Sequence, residues 1–436
     1  MLNFNALTRI LHKKIYFTIH TGNQGFTDQM MQFSAFYKLG LALGYHYIYT
    51  PFISVRSMPL IKTIDRIKTS RFQDSSDPIH DQVDIYDFLG FNQYFDVKEF
   101  HLENEKVEDL EIELSDSILD ENHIFSFSEL KSHIRDYVAK NKKTKNNLRI
   151  IFRLERKKPP EGKGKREFFS LIHTDVPAFK DELDFHSMYF KTRKNDPIPS
   201  QFEDDKIKIL VHIRQGDTSF IETSWNTFIP VDSRRPDFLT EQVNYEQMKS
   251  SYSNNFVDSL FQPAEYYGFL KKLLSYFEDH VFSTLSFSDG YHRAFGIIEK
   301  NINRLQLSSE KKESLSRIKD SYDETKFRIF KNIKGSKCII GETQENLHTL
   351  IHSTLIADII IVAAQQRMLP KLAANFCKSN TPFIIVLYRN KIPDYSDVIQ
   401  NDDDRYIYTD IDNPDFKKIV DRIDQLIKNL LRDTGR

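Results

Sequence analysis

Seven consecutive residues carry the densest chemistry in this chain. They are Val211-His212-Ile213-Arg214-Gln215-Gly216-Asp217, placed at the end of the strand-like run that starts at Ile207. An open α/β sheet takes its ligands at the carboxyl ends of its strands, so these groups are released where a ligand would lie. His212 and Arg214 alternate with apolar Val211 and Ile213 and therefore share one face. The planar fork of Arg214 suits bidentate phosphate binding, and Gly216 lets the backbone approach a ligand closely. Asp217 can orient Arg214 or accept a hydrogen bond from a sugar or base. The same residues also suit a purely structural arrangement, with His212 as a satisfied core histidine and Arg214 paired to Asp217.

Other segments offer partners for that chemistry. Thr21-Gly22-Asn23-Gln24 follows the β-rich run Ile15–Ile19, where Asn23 suits either a ligand contact or an Asx turn. Asp28 falls in the first turn of the next helix, where the helix dipole keeps a carboxylate ionised; that favours an electrostatic role over strong base catalysis. Phe287-Ser288-Asp289-Gly290 ends another apolar run, and a carboxylate at Asp289 can accept hydrogen bonds from N–H or hydroxyl groups of a ligand, although Ser-Asp-Gly is also turn chemistry. Gln365 and Gln366 follow the strand Ile359–Val362, just where backbone N–H groups of a following helix can hold a phosphate. Trp225, the single tryptophan, and the loop residues Tyr86, Tyr291 and Tyr388 are candidate sugar platforms.

The order of these segments resembles a family. His212-Ile213-Arg214-Gln215-Gly216-Asp217 is similar to the H-x-R-[RX]-G-D signature of the α1,2-, α1,6- and protein O-fucosyltransferases. Gly22-Asn23-Gln24 with Met30–Phe33 resembles the G-x-G-N-Q turn and helix of that family's first lobe. Phe287-Ser288-Asp289 resembles its F-S-D turn, and Asn346–His348 through Ala357–Ile361 its helix, acidic residue and strand before the phosphate loop. The resemblance implies a GT-B-like α/β fold of two Rossmann-like lobes facing a cleft. It implies inverting, metal-independent transfer of L-fucose from GDP-β-L-fucose, as donor substrate, to a hydroxyl of a glycan or protein acceptor, with no separate cofactor. It also assigns roles: Arg214 to the β-phosphate and Asn23 to the leaving group and acceptor. Asp28 and Asp217 are further catalytic candidates by position alone, and each also suits a purely structural role, Asp28 as an acidic residue satisfying the helix dipole. His212, Arg214, Gly216, Ser288, Asp289, Gln365 and Gln366 are the donor-binding set. Three positions depart from the pattern: Gln215 replaces its second Arg, His20 its first Gly, and Ala363-Ala364 a Ser-Ser pair. These departures leave open a transferase for another nucleotide sugar, and, since fold alone does not imply activity, a non-catalytic nucleotide- or glycan-binding protein is the second alternative.

Positioning these groups takes alternating strands and helices, and the chain reads that way throughout. Ile15–Ile19, the helix Phe26–Leu43 ended by Gly44, and Tyr47–Tyr49 make one βαβ unit. A second α/β pattern starts at Ile207 and runs through Val281–Phe287, a charged helical excursion from Gln306 to Lys331, Cys338–Ile340, Asn346–Ile356, Ile359–Val362, Met368–Phe376 and Phe383–Leu387. Near-continuous apolar strands of this kind belong to parallel sheets buried on both faces. The Pro197, Pro199 and Glu203–Asp205 region marks a boundary, giving an acceptor-side lobe over residues 1–200, a GDP-sugar lobe over 205–415 and a closing helix over 416–436. At 436 residues, two domains are the expectation.

Composition removes several function classes. A net charge of -1 leaves no electrostatic footprint for nucleic acid. Two cysteines exclude a disulfide framework, and neither has partners at metal-ligand spacing. Asp402-Asp403-Asp404 reads as a solvated turn rather than a metal motif. No run reaches the ~18 apolar residues of a membrane span. The expectation is a bacterial cytoplasmic enzyme or a soluble catalytic domain trimmed of its anchor.

Overall fold

The computed structural model describes residues 15–20, 26–48, 107–114, 126–142, 147–154, 189–191, 193, 200–216, 218–232, 242–250, 261–278, 281–341, 343–363, 383–389 and 405–433. The chain divides into two compact units, Met1–Pro197 and Ile198–Arg436. Each is a mixed α/β body built on a parallel sheet.

In the first unit, β1 (Ile15–His20), α1 (Phe26–Ala42), β2 (His46–Tyr47), β3 (Val107–Leu114), α2 (Phe127–Asn141) and β4 (Asn147–Leu154) give a sheet of order β2-β1-β4-β3. All of its pairings are parallel, with Ile15 opposite Leu148 and Ile19 opposite Phe152. α1 lies so close to β1 that a side chain at Gly40 would place its Cβ 2.4 Å from the Phe17 ring. The helix ends in a Schellman turn: Gly44, at φ +80, donates to the Leu41 carbonyl at 2.9 Å, and Tyr45 to the Gly40 carbonyl at 3.0 Å. The strand expected at Tyr47–Tyr49 is shorter and sits earlier, at His46–Tyr47.

The second unit holds β5 (Ile207–Ile213), β6 (Thr218–Glu222), β7 (Phe228–Asp232), α3 (Tyr245–Ser250), α4 (Pro263–Leu274), β8 (Phe282–Ser288), α5 (His292–Lys300) and α6 (Ser309–Phe327). A 3₁₀ turn, β9 (Ser336–Ile340), α7 (Gln344–Ile356), β10 (Ile359–Ala363), β11 (Phe383–Tyr388), β12 (Tyr406–Asp410) and α8 (Phe416–Asp433) follow. The six-stranded sheet has the order β12-β11-β10-β5-β8-β9 and is parallel throughout. Taken along the chain, that is the 3-2-1-4-5-6 order of a doubly wound Rossmann-type sheet.

Burial explains why these strands are so apolar. β8 and β10 are buried along their whole length, and β5 exposes only Lys208 and His212 in part. Ile209, Val211 and Ile213 of β5 pack in one core with Tyr266 and Leu270 of α4 and with Ile361, Ile385 and Leu387 of the neighbouring strands. α8 belongs to this unit: Ile419 and Ile423 are fully buried in the same core, and Phe416 stacks on Phe269 at 5.3 Å. The helical excursion expected after Gln306 is α6 with the 3₁₀ turn Arg328–Asn332. Met368–Phe376 lies outside the described residues.

Candidate functional site

The strand order reverses between β5 and β10. β5 is followed in the sheet by β8 on one side, whereas β10 is followed by β11 on the other. Ligands of open α/β sheets lie outside the carboxyl ends of the strands at such a switch point. His212 pairs with Val362 of β10 and with Phe287 of β8, so it occupies the last doubly paired position of β5 before that edge. Its half-buried ring lies 6.3 Å from the Phe287 ring at 29°. Arg214 is exposed immediately beyond the strand, and Gly216 is buried. The switch point therefore carries the sequence motif, with Arg214 exposed.

Gln215 faces the other way. It is 1% exposed, and its side-chain amide donates to the Phe261 carbonyl at 2.6 Å. Its backbone N–H donates to the Asp289 carboxylate, also at 2.6 Å. The peptide carrying Arg214 is thus gripped from the turn before α4 and from the loop after β8. Asp289, read from sequence as a base- or ribose-binding group, spends one oxygen on this bond.

The turn after β8 is closed on itself. Ser288 is fully buried, and its Oγ accepts the Gly290 N–H at 3.0 Å. Gly290 has φ +73, and a Cβ there would lie 2.6 Å from Asp323 Oδ2. Asp323 Oδ1 accepts the N–H of Tyr291, the residue before α5, at 2.8 Å. Burial pushes the Asp323 carboxyl above its ordinary value, against the pull of that N–H. Tyr291, expected as a sugar platform, is instead a fully buried core residue whose hydroxyl donates to Gln262 at 3.3 Å. Burial pushes its phenol well up, the nearby Tyr322 and Asp323 adding to the effect.

Trp225 lies in the loop of the β6–β7 hairpin, where Asn226 takes φ +62. The indole N–H donates to Gln242 at 3.0 Å, the ring packs partly buried against the core, and the Lys311 ammonium lies 5.0 Å from its centroid. Tyr388 is half-buried at the end of β11. Asn23, Asp217, Gln365, Gln366, Tyr86 and the Asp402–Asp404 run lie outside the described residues, and so does the side chain of Asp28.

Sequence reasoning missed Arg389, the residue next to β11, which is 7% exposed. Its Nε donates to Asp412 at 2.7 Å and its Nη2 to Glu265, while the guanidinium lies 5.1 Å from the Phe261 ring. Burial works against its charge, but Asp412 and Glu265 outweigh that and hold it protonated. The signal was the one that marked Arg214, a cation immediately past a mainly apolar strand.

No protein-family model and no curated protein matches the chain. Among solved structures it is similar to POFUT1 in complex with GDP, at TM-score 0.35 and 9% identity, over 86% of this chain and 99% of that one. It is also similar to a mutant of Arabidopsis thaliana FUT1 in complex with GDP, at TM-score 0.33 and 11% identity, over 89% of this chain and 74% of that one. No helix among the described residues is long and apolar enough to cross a membrane.

Proposed function

We propose that this chain is a GT-B-like glycosyltransferase that binds a GDP-linked donor at the carboxyl edge of β5. Its reaction is inverting transfer of L-fucose from GDP-β-L-fucose to a glycan or protein hydroxyl, without a metal. The observation that carries the reading is the exposed Arg214 at the switch point, one residue past the strand and inside a motif resembling the fucosyltransferase signature. β5 runs into the β6–β7 hairpin and not into a helix. The helix N-terminus that commonly holds a diphosphate beside such a first strand is therefore replaced by side-chain charge.

In the reaction the acceptor oxygen bonds to the anomeric carbon as its bond to the β-phosphate oxygen breaks. The electron pair leaves with GDP, and the acceptor proton passes to a base. Negative charge grows on the β-phosphate in the transition state, and a guanidinium aimed there stabilises it where it develops. Arg214 takes that role, with His212 and Gly216 lining the donor; Asn23 keeps the role that the family resemblance implies, Gln365 and Gln366 serve the phosphates, and Asp28 and Asp217 are the candidate bases.

A donor screen read by GDP or UDP release, paired with melting temperatures in GDP, UDP and GDP-mannose, tests the reading. Stabilisation by GDP and release from GDP-fucose are expected. Release only from another donor would move the assignment to that sugar. Binding without release under any acceptor would leave a non-catalytic nucleotide-binding protein.

A further inference from the structure

The geometry points to Arg389 as a positioning residue for Arg214, acting through Glu265, the turn at Phe261–Gln262 and Gln215. This rests on the catalytic role proposed above for Arg214. Arg389 stands at the same carboxyl edge but is turned inward. Its Nε donates to Asp412 at 2.7 Å, and its Nη2 donates to Asp412 at 3.4 Å and to Glu265. One guanidinium therefore ties the loop after β12 to the first turn of α4 and covers the ring of Phe261.

Glu265 is the next link. Besides Arg389, its carboxylate accepts the Gln262 N–H at 2.8 Å and the Tyr245 hydroxyl at 3.3 Å. These bonds fix the backbone that enters α4. The carbonyl of Phe261, one residue before Gln262, accepts the Gln215 amide at 2.6 Å. Gln215 adjoins Arg214, and its N–H is held from the opposite side by Asp289. The Arg214 peptide thus has two anchors: one comes from the loop after the adjacent strand, and the other depends on Arg389.

Without the guanidinium, the mostly buried Glu265 carboxylate would lose its cation, and the α4 entry it holds would shift. Displacement of a charge-stabilising group by about 1 Å can cost on the order of 10²-fold in rate. Lysine cannot replace Arg389, because a point charge does not span both carboxylates.

The test is a double-mutant cycle on the full chain, with GDP-sugar turnover, GDP affinity and melting temperature measured for wild type, Arg214→Ala, Arg389→Lys and the pair. Arg389→Lys should lower kcat by roughly 10-fold or more, with little change in donor KM. In the Arg214→Ala background the same substitution should cost less than about 3-fold, because no guanidinium remains to be positioned. Equal costs in both backgrounds, or loss of activity in step with the folded fraction, would overturn the inference. If Arg389→Lys does not stay folded, Gln215→Met breaks the same chain at its other end without a charge and should show the same non-additivity. Wild-type turnover in Arg214→Ala, or a wild type that neither binds GDP nor turns over, would overturn the proposed function itself and this inference with it. Additivity beside a disabled Arg214→Ala would overturn only the role of Arg389.

Discussion

The backbone N–H of Gln215 donates to the carboxylate of Asp289 at 2.6 Å, so the loop after β5 is bound to the loop after β8. Arg214 and the Ser288–Gly290 turn share one edge of the sheet, and changes to either loop reach the other.

Arg214→Ala and Arg214→Lys should both lower GDP-sugar turnover by roughly 10²–10³-fold. Because Arg214 is exposed, melting temperatures should stay close to wild type. Turnover and melting on the same preparations separate a charge that acts in the transition state from a structural ion pair, for which stability would fall first. Near-normal turnover in Arg214→Lys would refute the mechanism.

Asp289→Asn should weaken the grip on the Gln215 N–H, since a charge-assisted bond becomes a neutral one. The expected loss is about 1–2 kcal/mol of stability, read by chemical denaturation. Turnover should fall further than the folded fraction, because the displaced peptide carries Arg214.

Gln215→Arg would bring the motif nearer to the H-x-R-R pattern, yet it should not raise donor affinity. The Gln215 side chain is 1% exposed and turned to the Phe261 carbonyl, so a guanidinium would be buried without a carboxylate partner. A stability loss of a few kcal/mol, about 2–4, is expected. Tighter GDP binding with unchanged melting would show that this side chain can turn outward.

Asp323→Asn should reveal a pH-dependent contribution. Burial raises the Asp323 carboxyl in the folded chain, so the native state holds this proton more tightly than the unfolded state does. Stability from this group is full below the ordinary aspartate range and is lost as pH rises through the raised value. Melting curves from about pH 4 to about pH 7 should show the wild type losing ground to Asp323→Asn as pH rises. A difference constant across that range would contradict the assignment.

Activity should persist in EDTA, because arginine charge serves the leaving diphosphate in the proposed reaction. Complete loss in chelator, restored by Mn²⁺, would instead place a metal beside the diphosphate.

In the first unit, Gly40→Ala should cost about 1–3 kcal/mol by driving a methyl group into the Phe17 ring, 2.4 Å from the built Cβ. Thermal unfolding followed by circular dichroism measures it.

Local pattern settled much of this. The apolar runs at Ile207, Ile359 and Phe383, alternating with helical patterns, match strands buried on both faces, so the α/β class and the parallel sheet were legible from composition and period. The placement of His212 and Arg214 at a strand's carboxyl end followed from the same reading, because Gly216 and the polar residues stop the apolar run. Tertiary structure alone decided that β5 lies between β8 and β10, which puts the motif at a switch point. The neighbours of β5 come from far along the chain, and no local period encodes them: Phe287 lies opposite His212 on one side and Val362 on the other. It also decided which polar side chains turn inward. Tyr291 and Ser288 are buried, Gln215 reaches Phe261, and Arg389 finds Glu265 and Asp412, because the partners that satisfy buried polar groups come from distant segments packed on the same edge.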